Sequence, residues 1–194
     1  MGMDDILGKL LGNTARVKLL RLFLFNPKAT YTLTDAAGRA KVKPAEARRE
    51  FGLYEKVGLI KTRNTAKVRR YILDDSFLYL AAFQHLLLNL PVRGKDIVKR
   101  LRGVGLVKLV ILSGLFADEF DGRLDLLIVA DKLNEPKLQT VIRRLEAEIG
   151  KEMKYVALTS EEFKYRLNIY DKLVRDVIDY PHIVALDRLH MELK

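Results

Sequence analysis

A proline and a glycine bracket the most sharply delimited helix of this sequence, which we predict over residues 44–57. Pro44 suits the first helical turn, where a backbone N–H has no partner within the helix. Gly58 suits the left-handed position that follows a helix end. The helix must therefore begin and end at these two residues, which restricts what the flanking segments can form.

The flanking segments supply the other elements of a small domain. Asn13 is predicted to cap a first helix, which Asn26 and Pro27 end. Thr34 is predicted to cap a short second helix, and residues 60–73 alternate as strand, turn and strand. The predicted order is helix, short helix, tight turn, helix and β-hairpin.

Three local motifs accompany this order. Pro44-Ala45-Glu46 begins the third helix, Leu53–Ile60 ends it with the letters LYEKVGLI, and Lys67–Leu73 forms a basic, aromatic second strand. With these motifs, Ala15–Leu73 resembles the winged helix-turn-helix repressors of the ArsR and MarR type. The resemblance implies double-stranded DNA as the partner, with the third helix entering the major groove.

The residue pattern of the third helix agrees with that expectation. Ala47, Phe51, Tyr54 and Gly58 form one helical stripe, which we expect to face the core. Basic side chains near the start of a recognition helix can reach base edges, and those on the hairpin can contact phosphates. The candidate DNA-binding residues are Lys43, Arg48, Arg49, Lys61, Arg63, Lys67, Arg69 and Arg70.

The charge distribution points to the same half of the chain. The 194 residues carry a net charge of +10, and residues 1–75 hold 16 basic and 8 acidic residues, a net of +8. An excess of this kind favours a polyanionic partner. The alternative is that these charges form an ordinary solvated face. We interpret Tyr31, Phe51, Tyr54 and Tyr71 as packing residues, which disfavours a reader of single strands.

Composition excludes several classes of protein. The chain has no cysteine, so a disulfide scaffold, a thiolate zinc site and a cysteine nucleophile are excluded. Its three histidines are scattered, and we predict neither a metal nor a cofactor. The N-terminus resembles no signal peptide, and no apolar stretch is long enough to span a bilayer. We therefore expect a cytoplasmic protein with no membrane partner.

A helix predicted over Phe77–Leu90, after the capping residues Asp74–Ser76, is apolar on nearly every face. Such a helix must be buried on more than one side. We expect a homodimer that uses this helix or the segment Ile6–Leu11.

The C-terminal half has the pattern of a small α/β domain. Four short strands are predicted, over Lys108–Ser113, Leu124–Ala130, Met153–Leu158 and Ile183–Leu186. One helix is predicted over Glu135–Ile149, and a second, capped by Thr159 or Ser160, runs to Ile178. The predicted fold class is α+β. Its domains are a winged helix with flanking helices, 1–90, and a small domain with a mixed sheet, 91–194.

The turn after the first of these strands, a carboxylate at the start of the next strand and the closing Pro181–Leu186 segment resemble the minimal nucleotidyltransferase domain, over about residues 104–187. That family carries a Gly-Ser pair after its first strand, an Asp-x-Asp motif entering the second, and a third carboxylate. Its carboxylates hold two magnesium ions. The corresponding positions here are Gly114 and Leu115, Arg123 and Asp125, and Lys154.

These departures predict a degenerate site with no catalytic residue. We expect Asp125 to form an ion pair with Arg123 or Lys154. Three interpretations stay open: the cations are solvated strand ends, they bind an anion such as a nucleotide without metal, or the transferase still works. The last would use Glu152 or an acid of the 116–122 turn, namely Asp118, Glu119 or Asp121.

The sequence thus favours a DNA-binding transcriptional regulator with a catalytically degenerate nucleotidyltransferase-like domain that takes a nucleotide or protein partner. One alternative is an active, magnesium-dependent nucleotidyltransferase of the toxin–antitoxin type. The other is a basic scaffold that binds RNA or protein.

Overall fold

The computed structural model describes residues 3–65, 68–88, 94–117 and 122–191. The fold is α+β, with a two-stranded sheet and a four-stranded mixed sheet. The chain divides into two compact units, residues 1–90 with 144–152, and residues 91–143 with 153–194. The limits predicted from the sequence, 1–90 and 91–194, differ from these in the placement of residues 144–152.

The first unit contains the predicted helices and hairpin. Asn13 accepts a hydrogen bond from the N–H of Ala15, as expected of a cap. The short second helix begins two residues earlier than predicted, because Thr32 rather than Thr34 caps it, in a capping box with Asp35. The elements are α1 Met3–Leu10, α2 Thr14–Phe25, α3 Leu33–Ala40, α4 Pro44–Lys56, β1 Ile60–Thr65, β2 Val68–Leu73 and α5 Leu80–Leu88.

Aromatic side chains form the centre of this unit. Phe51 of α4 packs edge-to-face against Phe23 of α2 and Tyr71 of β2, with ring centroids 5.4 and 4.7 Å apart. Ala47 and Tyr54 are buried beside it, as their helical spacing predicts. The fourth residue of the predicted stripe, Gly58, is exposed instead, because it adopts φ +79° in the turn after the helix.

Residues 144–152 complete the first unit from a distant part of the chain. They bring backbone carbonyls and one carboxylate to α2, α3 and the residue after α2. Gly150 adopts φ +85° against α2, where a Cβ would lie 2.7 Å from the backbone nitrogen of Leu22. The polar contacts are Arg21 to the Glu148 carbonyl at 2.9 Å, Asn26 to the Gly150 carbonyl at 2.7 Å, and Arg39 to the Glu152 carboxylate at 2.8 Å.

The second unit is built on the mixed sheet. Its strands are β3 Leu106–Leu112, β4 Leu126–Asp131, β5 Tyr155–Leu158 and β6 Ile183–Asp187. Their order is β5-β4-β3-β6, in which β4 and β5 are parallel and the other pairs antiparallel. Its helices are α6 Gly94–Arg100, α8 Ser160–Asn168 and α9 Lys172–Ile178, with a 3₁₀ turn at Gly114–Ala117. Helix α7, Glu135–Ile149, begins in this unit, and its residues from Arg144 onward belong to the first unit.

The single helix predicted from Ser160 to Ile178 is wrong. Thr159 caps α8 in a capping box with Glu162, but the helix ends at Asn168. Tyr170 then adopts φ +56°, and the Asp171 side chain accepts hydrogen bonds from the first N–H groups of α9. This local cap competes with continuation of the helix and divides it in two.

Within the described residues, no helix has the length and apolarity that crossing a membrane requires. Helix α5 buries Leu87 on one side, while Leu86 on another side is 52% exposed. Within the described chain, this apolar helix is therefore covered on only part of its circumference.

Candidate nucleic-acid interface and the degenerate site

The outer face of α4 is basic and built around small residues. Ala45, Arg48, Arg49 and Gly52 are all exposed and recur at helical spacing. Lys43, the residue before the helix, is exposed as well. A Cβ on Gly52 would meet no atom within 4 Å, so nothing within the described chain covers this face at its centre.

Each of the three acidic residues of α4 has a hydrogen-bond partner within the first unit. Glu46 accepts a hydrogen bond from the N–H of Lys43 at the helix start. Glu50 is fully buried, and Glu55 contacts the hairpin through Thr62 and Arg69. The outer face of α4 therefore exposes Arg48 and Arg49, while Glu55, seven residues after Arg48, is paired with Arg69 of the hairpin.

Glu50 is neutralised by a side chain from α2. Arg16 donates from Nε to Oε2 of Glu50 at 2.8 Å, and Asn13 donates to Oε1 at 3.1 Å. The hydrogen bond to Glu50 raises the pKa of Arg16. Arg49 lies 3.8 Å from Glu50 but keeps 71% of its side chain exposed, so it stays on the outer face. These contacts fix the rotation of α4 about its axis.

The hairpin separates its basic residues onto two faces. Residues paired across the strands share a face, and the pairs Ile60–Leu73 and Thr62–Tyr71 face the core of the unit. The alternate pairs carry Lys61, Arg63 and Arg70 on the opposite face. Arg69 belongs to the core face.

Two of the predicted DNA-binding residues already have carboxylate partners. Arg69 donates to Glu55 at 2.8 Å and lies over the Tyr71 ring. Lys61 lies 3.2 Å from Asp74 and 3.1 Å from Asp75. The hydrogen bond from Thr62, and then that from Arg69, lower the pKa of Glu55. Sequence reasoning overlooked Glu55, whose only signal was its place at the end of α4, beside the strand that follows.

The remaining candidates differ in their surroundings. Arg48 and Arg63 are exposed and have no ion pair among the residues that the structure describes. Arg70 is half-buried near Asp35, whose pKa is lowered first by hydrogen bonds from Thr32 and further by Arg70 and Arg39. Lys67 lies outside the described residues.

In the second unit, the residues of the predicted degenerate site do come together. Asp125 is 4% exposed. Its Oδ1 accepts the N–H of Leu115 at 2.9 Å, and its Oδ2 accepts the N–H of Lys154 at 2.8 Å. Gly114 packs so closely on Asp125 that a Cβ would overlap its Oδ1 and would lie 2.7 Å from the Leu124 carbonyl.

The expected ion pair of Asp125 is therefore wrong in its partners, because backbone N–H groups occupy both oxygens. The guanidinium of Arg123 lies 2.9 Å from Oδ2 of Asp176 instead. The Lys154 ammonium donates to the carbonyl of Gly122 at 2.9 Å. Sequence reasoning missed Asp176, whose position in α9 follows from the helix break that it also missed.

Among the described residues, none of the alternative acids predicted from the sequence lies beside Asp125 as a second carboxylate. Glu152 is exposed and pairs with Arg39 in the first unit. Asp118, Glu119 and Asp121 lie outside the described residues. In the described ranges, no group of three or more His, Cys, Asp or Glu residues has the arrangement of a metal site.

Large apolar side chains are exposed around α5 and α1. Leu78 is 84% and Tyr79 59% exposed beside α5, and Ile6 and Leu10 are exposed on α1. These are the segments in which the sequence placed a dimer interface, and the homodimer stays a prediction.

Comparison of the chain with family models, with curated proteins and with solved structures finds no match.

Proposed function

We propose that the first unit is a winged helix-turn-helix that binds double-stranded DNA, and that the protein is a transcriptional regulator. The observation that carries the proposal is the outer face of α4, which exposes Arg48 and Arg49 while all three acids of the helix are engaged elsewhere. An α-helix fits the major groove, where arginine pairs with guanine. A basic helix face whose neighbouring carboxylates already have partners within the unit meets both requirements.

The small residues on the same face favour close approach of the helix to DNA. Gly52 lies in the middle of α4, where glycine costs about 1 kcal/mol relative to alanine. The described chain offers no packing reason for it, since its missing side chain would meet open space. A partner that presses against the helix supplies such a reason.

The hairpin supports the proposal with a narrower set of residues than the sequence suggested. Arg63 and Arg70 share the face turned away from the core and are suited to phosphate contacts. Arg69 is held by Glu55, so we propose that it orients the hairpin rather than contacting DNA. The rings of Tyr31, Phe51 and Tyr71 are buried and so are not placed to stack on bases, which favours duplex over single-stranded nucleic acid.

For the second unit we propose a nucleotidyltransferase-like domain without transferase activity. Metal-dependent phosphoryl transfer needs carboxylate oxygens that are free to hold magnesium. Asp125 has both oxygens occupied by backbone N–H groups, and Arg123 stands two residues before it. This arrangement supports a binding rather than a catalytic role.

The DNA proposal is tested with the double variant Arg48→Ala/Arg63→Ala. Fluorescence anisotropy measures its affinity for duplex DNA across a range of salt concentrations. Each lost phosphate contact lowers the slope of log affinity against log salt by about 0.9, and a lost base contact costs about 1–3 kcal/mol. The matched control is Lys137→Ala/Lys164→Ala, which removes two exposed charges from the second unit.

We expect the first double variant to lose most duplex binding and the control to keep it. Equal weakening in both variants would mean that net charge alone attracts DNA. Unchanged binding by the Arg48/Arg63 variant would refute the assignment of the interface.

A further inference from the structure

The second unit contains a half-open pocket of about 310 Å³ next to the degenerate site. Its size lies at the lower end of the range for small-molecule sites. Its lining combines charged side chains with two glycines. The lining residues that carry the argument are Gly114, Gly122, Arg123, Lys172, Asp176 and Tyr180.

Arg123 faces the pocket with most of its donors uncommitted. Its side chain is 64% exposed, and it approaches Oδ2 of Asp176 to 2.9 Å. The geometry of this contact does not make a hydrogen bond, and Oδ2 is buried with no hydrogen-bond partner in the described chain. Asp176 therefore holds the guanidinium in place by charge and leaves its N–H groups free for a ligand.

Lys172 adds a second cation to the same pocket. It is exposed at the first position of α9 and has no ion pair among the described residues. The hydroxyl of Tyr180 offers a further donor, since its side chain is 58% exposed at the pocket. Among the lining residues that the structure describes, one carboxylate stands against two cations, so their net charge is positive.

A metal ion does not suit this pocket. Its lining carboxylate, Asp176, already faces the guanidinium of Arg123, and the neighbouring Asp125 is bound at both oxygens by backbone N–H groups. Magnesium binds through carboxylate oxygens and avoids adjacent cations. An anion, by contrast, meets two cations and a hydroxyl.

We propose that this pocket binds the phosphate monoester of a small molecule, without a divalent metal. A phosphate monoester carries between one and two negative charges at neutral pH and presents three strong acceptor oxygens. Arginine binds such oxygens in a fork geometry, and lysine contributes a point charge. The inference does not depend on DNA binding by the first unit.

Calorimetry on the full-length protein in the presence of EDTA tests the proposal. The probes are inorganic phosphate, adenosine monophosphate and ribose 5-phosphate, with adenosine and ribose as their unphosphorylated counterparts. We expect at least one phosphate monoester to bind without metal and its unphosphorylated counterpart to give no detectable heat of binding. We expect Arg123→Gln to weaken that binding by about tenfold and Lys172→Gln by a smaller factor.

The matched control is Lys164→Gln, which removes an exposed cation of the same unit outside the pocket and should leave the affinity unchanged. Thermal unfolding checks that each variant is folded, and Lys172→Gln provides the second arm if Arg123→Gln is not. The proposal fails if no phosphate monoester binds at millimolar concentration, or if binding requires magnesium. It also fails if adenosine binds as well as its monophosphate, or if the pocket variants match the control.

Discussion

Among the residues that the structure describes, each unit buries one carboxylate, and the two are held in different ways. Glu50 of the first unit is fully buried and is met by the side chain of Arg16, which is itself one-third exposed. Asp125 of the second unit is met by the backbone N–H groups of Leu115 and Lys154. The first carboxylate is thus held by another side chain, and the second by main chain.

The difference affects what each surface can bind. A buried acid paired with a side chain fixes one helix against another, and it leaves the exposed cations of α4 without a competing acid. The carboxylate of Asp125 accepts one backbone N–H at each oxygen, which fixes its orientation and weakens both oxygens as ligands for a metal. The first arrangement favours binding of a polyanion at α4. The second disfavours the metal binding that a working transferase site would require of its carboxylates.

The largest effect is expected from Glu50→Ala. The variant leaves Arg16 and Asn13 without their carboxylate and creates a space under α4, so we expect the first unit to lose about 3 kcal/mol of stability. Chemical denaturation measures the loss. Glu161→Ala, which removes an exposed glutamate, is the control and should change little. A loss under about 1 kcal/mol would mean that the Glu50–Arg16 pair stabilises the unit no more than an ordinary surface ion pair does.

Asp125→Ala should cost about 2 kcal/mol, because two buried N–H groups lose their acceptor. Hydrogen exchange at Leu115 and Lys154 should accelerate, while duplex binding stays unchanged. Magnesium-dependent nucleotide transfer by the wild-type protein that this substitution abolishes would show instead that the carboxylate serves catalysis.

Gly52→Ala should raise the stability of the first unit by up to about 1 kcal/mol, since it removes a glycine from an exposed helix interior. If α4 lies in the major groove, the added methyl group should nevertheless weaken duplex binding. Gly38→Ala, in α3, also projects into open space and controls for the helix gain. A stabilised Gly52 variant with unchanged DNA affinity would argue against close contact.

The smallest effect is expected from Glu55→Gln, which releases Arg69 and removes one negative charge from the last turn of α4. The lowered pKa of Glu55 keeps this residue charged at neutral pH, so the substitution changes a real charge. We expect duplex affinity to rise by about threefold, within the range for surface charges. Asp75→Asn removes a charge near Lys61 and is the comparison. An equal rise in both variants would assign the effect to net charge.

Local sequence signals predicted much of the secondary structure, because they act within a few residues. Pro44 and Asn13 begin their helices as expected, and Glu135–Ile149 forms α7 with the predicted bounds. The four predicted strands are present. The helix break at Tyr170 was missed because an apolar stripe continues across it, while the cap at Asp171 depends on one side chain.

Partners distant in sequence could not be predicted in the same way. Nothing in local pattern indicates that Asp125 meets two main-chain N–H groups, or that Arg123 meets Asp176. On the hairpin, the sequence pattern identified the basic residues but not the faces on which they lie. It could not show that Glu55 holds Arg69.

The closing segment of the first unit, residues 144–152, has a consequence for synthesis on the ribosome. Its contacts with α2 and α3 join residues separated by 113 to 127 positions. Domains generally fold in order as the chain emerges, and contacts of this span slow folding. The first unit can therefore assume its final form only after residues 144–152 have been translated. Until then, a nascent chain that already exposes α4 lacks the residues that complete its fold.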